Sequence, residues 1–191
     1  MLHIDVNFID RLAKTCKKFP DRAVDIMQSV KKNQLKSKAR VFNHIANNSR
    51  VCVVGGWYGA PYLLANPTCT YTFVDIDPHC AEVGRYMWEN KSQFATADAA
   101  DWDYSTYDVV IDSSTEHMNK YKLQKMFLGL HPGQTVILQN SNQHQVHDHI
   151  NCFDSIDSYV DWVSAFLVVG SSFTDMMDNH SKRFTLVCRS M

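Results

Sequence analysis

The chain has 191 residues, 45% of them hydrophobic, which suits one well-filled core and leaves too little for two comfortable domains. No apolar run approaches the ~20 residues that span a bilayer, and Met1-Leu2-His3-Ile4-Asp5 lacks the charged-then-apolar layout of a signal peptide, so a soluble, cytoplasmic protein with no membrane contact is expected. The net charge of −1 hides an asymmetry: residues 1–50 hold eleven Lys/Arg against four Asp, a surplus of 7, and the remainder carries −8.

The first fifty residues read as helices. Phe8, Leu12 and Cys16 recur at helical spacing; Pro20-Asp21 opens a second segment bearing Val24, Ile26, Met27 and Val30. A third segment, over about 35–46, carries Val41, Phe42 and Ile45 and stops at Asn47-Asn48. This basic leader can meet an anionic substrate or partner, pair with the acidic body of a neighbouring copy, or form a solvated helical face. Nucleic acid is disfavoured, because only Phe8, Phe19 and Phe42 are interleaved with the charges.

After Arg50 the texture changes to short apolar runs, at 51–54, 71–76, 93–96, 107–111 and 134–139, separated by helical patterns near 59–65, 78–90 and 118–129. Strands alternating with helices imply a mostly parallel sheet with right-handed crossovers. Beyond a helix at about 155–163, two further runs, 165–169 and 183–188, are joined too tightly for a crossover helix and should pair antiparallel. Cys16, Cys52, Cys69, Cys80, Cys152 and Cys188 are scattered, without a C-x-x-C pair, as apolar fillers in a reducing compartment are. The expected layout is α/β: a helical cap over residues 1–49 and one compact unit over 50–191.

The densest chemical signal is Val51-Cys52-Val53-Val54-Gly55-Gly56-Trp57-Tyr58-Gly59-Ala60. A buried strand that breaks into a glycine-rich turn brings bare backbone up to a ligand. The next run, Tyr71-Thr72-Phe73-Val74, ends in Asp75-Ile76-Asp77-Pro78, and a carboxylate at that strand tip is where doubly wound proteins hold a ribose diol. The pair reads as an adenosine-type cofactor site.

With these pieces in order, residues 50–190 resemble the class I S-adenosylmethionine-dependent methyltransferases and their Rossmann-like, seven-stranded sheet, mostly parallel with an antiparallel C-terminal strand. The resemblance implies S-adenosylmethionine as cofactor and a methyl acceptor that the sequence does not identify. It places Gly55, Gly56, Trp57 and Gly59 in the glycine-rich first motif, Asp75 with Ile76 at the ribose, and Asp98 with Ala99 at the adenine amino group. Tyr107-Asp108-Val109-Val110-Ile111-Asp112 resembles the fourth-strand motif that ends beside the methyl donor, and Leu130-His131-Pro132-Gly133 the turn into the fifth strand. Two positions depart from the pattern: Val53 stands where the family carries an acid, and Trp57 occupies the central glycine. Ser113-Ser114-Thr115-Glu116-His117-Met118 replaces the N/D-P-P-Y signature of nucleic acid amino-methylating enzymes. The missing acid keeps open transfer of another group from the same cofactor, such as aminocarboxypropyl, and a non-catalytic binding or assembly role.

Candidate catalytic residues follow the fourth strand: Asp112 at its tip, then Glu116 and His117. His titrates near neutrality and is the natural general base; Ser113/Ser114 followed by Glu116 also has the form of a capping box. After the fifth strand, Asn140, Asn142 and His144 are the candidate acceptor contacts. His144, His147 and His149 could hold a metal in other settings, but their spacing matches no zinc signature and no metal is assigned.

Overall fold

Val51, Cys52, Val53 and Val54 form the centre of β1 (Arg50–Val54), and all four are buried. Alternation sends Val51 and Val53 to one face of the sheet and Cys52 and Val54 to the other, and both faces carry a core. A strand covered on both sides must read as a continuous apolar run, which is why these segments stand out in the sequence. The computed structural model describes residues 6–191 except Pro67, Asn90 and Asn179, with only the backbone of Asn33 and Ala39. The leader reading of Met1–Asp5 lies outside the described residues.

Three helices, α1 (Val6–Lys18), α2 (Ala23–Ser29) and α3 (Lys32–Phe42), precede β1. Then follow α4 (Ala60–Ala65), β2 (Thr70–Asp75), α5 (Pro78–Trp88), β3 (Gln93–Thr96), β4 (Val109–Asp112), α6 (Lys120–Leu128), β5 (Thr135–Ser141), α7 (Ile156–Val163), β6 (Leu167–Met176) and β7 (Lys182–Ser190). The seven strands lie in the order β3-β2-β1-β4-β5-β7-β6. β1 to β5 pair in parallel, and β7 runs antiparallel to both β5 and β6. The short link from Met176 to Lys182 leaves no room for a crossover helix, so β6 and β7 pair antiparallel as expected.

The N-terminal helices, α4 and α5 cover the Val51/Val53 face, with Phe8, Ile26, Val41, Tyr62 and Trp88 in one cluster. Leu123 and Met126 of α6 and Tyr159 and Val163 of α7 cover the other. Burying each such side chain contributes about 1.5–3 kcal/mol, so the two clusters supply the main force holding the helices to the sheet. The sheet order reverses between β1 and β4, and at such a switch point the connections leave in opposite directions and open a crevice.

Two local expectations change. The third helix starts at Lys32 and ends at Phe42, and the chain reaches β1 through turns that include left-handed Asn48 (φ +63°). The capping box at Ser113/Ser114 does not form: Ser114 makes no side-chain cap, and Asn119 caps α6 by accepting from the Lys122 N–H at 2.9 Å. A capping box does form at Ser155, which starts α7 with Ser158 as its reciprocal partner.

Three cations of the basic leader pair with carboxylates of the body. Arg22 meets Asp77 at 2.7 Å, Arg40 meets Asp175 at 2.5 Å and Arg50 meets Asp108 at 2.8 Å. Each is partly exposed and worth about 0–1 kcal/mol; the first two orient the N-terminal helices against the body, and the third joins the starts of β1 and β4. Among the described residues, no helix is long and apolar enough to cross a membrane.

Candidate active site

At the end of β1 the chain turns at once, with Gly55 at φ +58° and Trp57 at φ +50°. The Gly55 N–H donates to the Val74 carbonyl at 2.9 Å, which holds the turn against β2. A Cβ on Gly55 would stand 2.6 Å from Ser114 Oγ, so glycine answers both the left-handed backbone and the close approach. Above this turn a cavity of about 520 Å³ opens over the carboxyl ends of β1, β2 and β4, and Gly55, Gly56 and Trp57 line it. Gly59 does not. It precedes α4 at φ +73°, and a Cβ there would stand 2.9 Å from the Phe73 ring, so it supports the turn from behind. Val53, the position of the absent acid, is fully buried in the apolar core.

At the tip of β2, Asp75 and Ile76 line the cavity. Asp75 Oδ1 accepts from the Asp77 N–H at 3.0 Å, and burial raises its pKa above the usual carboxylate range. Asp77 caps α5 by accepting from the His79 N–H and takes the Arg22 guanidinium, which ties the start of α2 to this rim. Beyond β3, Asp98 and Ala99 also line the cavity. Lys122 Nζ donates to Asp98 Oδ2 at 2.5 Å and holds that carboxyl below its ordinary value, with a second bond from the Ala100 N–H.

The β4 end is the most densely charged part of the cavity. Asp112 pairs in register with Val54 and is 1% exposed; its Oδ1 accepts from the Ser114 N–H and its Oδ2 has no partner among the described residues. Burial pushes Asp112 up to about 7. Opposite it, Lys38 of α3 donates from Nζ to the Ser113 carbonyl at 2.7 Å, and burial brings its pKa down to about 7. Glu116, also 1% exposed, accepts from Arg183 Nη1 of β7 at 2.6 Å through Oε1 and leaves Oε2 without a partner among the described residues. His117 stands at the mouth, its Nδ1 3.2 Å from Asp148 Oδ2.

The loop after β5 contributes differently from what its sequence suggested. Gln143, Asp148, His149 and Ile150 line the cavity, whereas Asn140, Asn142 and His144 do not. Asn140 is fully buried and donates to Thr115 Oγ1 and the Asn151 carbonyl, which fixes the loop base. Asn142 bonds the backbone of His180 and Lys182, while exposed His144 pairs with Asp154 at 3.0 Å. His149 packs edge-on to His117, with ring centroids 4.7 Å apart, and burial holds its pKa below the ordinary histidine value.

Ser29, Gln34 and Lys38 of the leader, and Arg183 of β7, were not singled out from sequence yet line the cavity. Lys38 had one legible signal. It lies three residues after Leu35 and three before Val41, on the apolar face of its helix, where a solvated lysine does not belong.

No family model matches the chain, and no curated protein matches its sequence. Solved structures do match in three dimensions. The N-methyltransferase NodS from Bradyrhizobium japonicum, in complex with S-adenosyl-L-homocysteine, superposes with a TM-score of 0.66 at 12% identity, covering 97% of this chain and 99% of its own. The fold is that of the S-adenosylmethionine-dependent methyltransferases. A TehB-like S-adenosylmethionine-dependent methyltransferase from Corynebacterium glutamicum gives a TM-score of 0.66 at 8% identity, over 94% of this chain and 99% of that one. A Methanosarcina mazei methyltransferase gives 0.63 at 11%, over 80% and 97%. At such identities the likeness is one of methyltransferase fold.

Proposed function

We propose that the protein is an S-adenosylmethionine-dependent methyltransferase. One juxtaposition supports this above all: the left-handed Gly55 turn, Asp75, Asp98 and buried Asp112 converge on a single cavity at the switch point of a methyltransferase-type sheet. The donor fits the residues present. Gly55 and Gly56 line the cavity with backbone that carries no side chain, and Asp112 Oδ2, without a hydrogen-bond partner among the described residues, is an acceptor suited to a cation. When bound, the cofactor supplies an electrophilic methyl group on a positively charged sulfur.

The chain's own residues then have distinct tasks. Backbone at Gly55, Gly56 and Trp57 holds the amino-acid portion of the cofactor, Asp75 takes the ribose hydroxyls with Ile76 against it, and Asp98 and Ala99 meet the adenine. Asp112 supplies the buried negative charge that Val53 does not. Alignment gives most of the rate in an in-line displacement, and the rigid strand tips are suited to give it. Where the acceptor must lose a proton, His117 is placed to take it, oriented by Asp148 at its Nδ1. Residues 1–49 act as a cap, since Ser29, Gln34 and Lys38 close one wall. The six free cysteines fit work in a reducing, cytoplasmic setting.

The test is calorimetry with S-adenosylmethionine and S-adenosylhomocysteine, with NAD as control. Micromolar binding of the adenosyl pair alone is expected; equal silence from all three would sink the reading. In turnover assays, release of S-adenosylhomocysteine marks methyl transfer, whereas methylthioadenosine would mark aminocarboxypropyl transfer.

A further inference from the structure

We propose that Glu116, His117 and His149 bind a divalent first-row transition-metal ion at the mouth of the cavity. One ligand atom from each of the three lies within 4.8 Å of the others. Ligands bonded to one ion at 2.0–2.2 Å stand roughly 3–3.5 Å apart, so the widest pair closes by up to about 1.5 Å. The His117 side chain, 41% exposed, has room to make that movement.

Three independent features point to an ion. Glu116 Oε2 is buried without a partner among the described residues while Oε1 is held by Arg183, leaving one carboxylate oxygen unsatisfied beside the two imidazoles. Such an oxygen is costly to bury, and a cation removes that cost. Each histidine also has its Nδ1 engaged at 3.2 Å by an oxygen of the 143–148 segment, Asp148 for His117 and the Gln143 carbonyl for His149. That leaves each Nε2 for a metal, with the other ring nitrogen oriented as metal-ligating histidines require. Finally, the Glu116 carbonyl accepts from the Ile150 N–H at 2.8 Å and the Asn151 N–H at 3.0 Å. These bonds fasten the segment carrying His149 to the one carrying Glu116 and His117, so the three residues are neighbours before any ion arrives and only side chains need to close on it.

The chemistry of the set selects among cations. Two imidazoles and one carboxylate suit zinc, cobalt, iron or manganese, whereas calcium and magnesium take oxygen cages. Three protein ligands leave a coordination position open. On the methyltransferase reading, an acceptor oxygen bound at that position would become more acidic and would give its proton to water at the cavity mouth, so that when the ion is bound His117 would serve as a ligand, and its role as base would apply only to the metal-free protein. The remaining loop histidines do not join: His144 and His147 are exposed and do not line the cavity.

The site is tested on the full-length protein, stripped with a chelator and titrated with Co²⁺ by visible absorption and with Zn²⁺ by calorimetry, with Mg²⁺ and Ca²⁺ as controls. One equivalent of Co²⁺ and of Zn²⁺ should bind at micromolar or tighter affinity. His117→Ala and His149→Ala should each weaken binding by about tenfold or more, and His144→Ala should not. Absence of a saturable single site, or loss in His144→Ala with retention in His149→Ala, would overturn the proposal. Melting curves and S-adenosylhomocysteine titrations of the same variants separate misfolding from ligand loss. Metal binding without any cofactor binding would refute the methyltransferase reading and leave the metal site standing.

Discussion

Lys38 Nζ donates to the Ser113 carbonyl at 2.7 Å, across 75 residues of sequence and with both residues buried. The bond joins α3 to the tip of β4, so the N-terminal helices are part of the cavity wall. The folded lysine titrates near 7 because burial disfavours its charged form, against 10.5 for an ordinary lysine. Between those values the unfolded chain binds more protons, so this group makes stability rise with pH from about 7 to about 10. Lys38→Met leaves the Ser113 carbonyl without its donor, at a cost of roughly 1–3 kcal/mol. The variant should therefore melt below the wild type at pH 9, and the gap should shrink toward pH 6, where the wild type must bury a charge. Thermal melts across that range decide it; a gap that widens at low pH would contradict the account.

Asp75 carries the ribose assignment most directly. Asp75→Asn keeps an acceptor for the Asp77 N–H and removes only the charge. Hydrogen bonds to a charged group are worth about 1.5–3 kcal/mol, so affinity for S-adenosylhomocysteine should fall roughly 10- to 100-fold. Melting should stay within a few degrees of wild type, because a strand-tip residue adds little to the core. Calorimetry showing unchanged affinity would remove Asp75 from the ribose site.

Gly84 tests the packing behind the cavity. On α5, a Cβ at this position would stand 2.2 Å from Phe94 Cε1. Phe94 is stacked on Phe73 with ring centroids 4.9 Å apart, so its ring cannot swing aside without disturbing a second one. Alanine gains up to ~1 kcal/mol of helix propensity, but overpacking costs about 1–3 kcal/mol. Gly84→Ala should lower Tm by about 2–8 °C, read by circular dichroism. A raised Tm would mean that α5 shifts freely on the sheet.

Strand positions and strand tips were legible from sequence for a common reason. A strand buried on both faces is a continuous apolar run, and its end is where polar residues resume, so Gly55, Asp75 and Asp112 could be placed without coordinates. Arg183 was not legible as a site residue, and Lys38 only as a lysine out of place on an apolar face, because they come from a leading helix and the last strand, and docking brings them together with Glu116. Within the loop, His149 rather than His144 faces inward because the neighbouring N–H groups of Ile150 and Asn151 bond the Glu116 carbonyl. A loop has no periodicity to announce such a choice. Asn140 failed for the converse reason: it sits on a strand buried on both faces, where a polar side chain is satisfied internally.

Asp112 joins stability to function. Its folded pKa is about 7 against 3.8 for an ordinary aspartate, so the folded state binds more protons between those values. Stability from this group is fully present below about 4 and is lost as pH rises through 7. Asp112→Asn removes that loss and should stabilise the free protein at pH 8, by at most roughly 4 kcal/mol, with little change at pH 4. A sulfonium in the cavity reverses the balance by favouring the ionised carboxylate. Affinity for S-adenosylmethionine should thus fall as pH drops from 8 to 6, with proton release on binding. S-adenosylhomocysteine, whose sulfur is neutral, should show a shallower profile. In Asp112→Asn the two profiles should become parallel and binding of the sulfonium should weaken. Calorimetry in buffers of differing ionisation enthalpy measures both the affinity and the released proton. Parallel profiles already in the wild type would place Asp112 away from the sulfur and leave its orphaned oxygen without a cationic ligand.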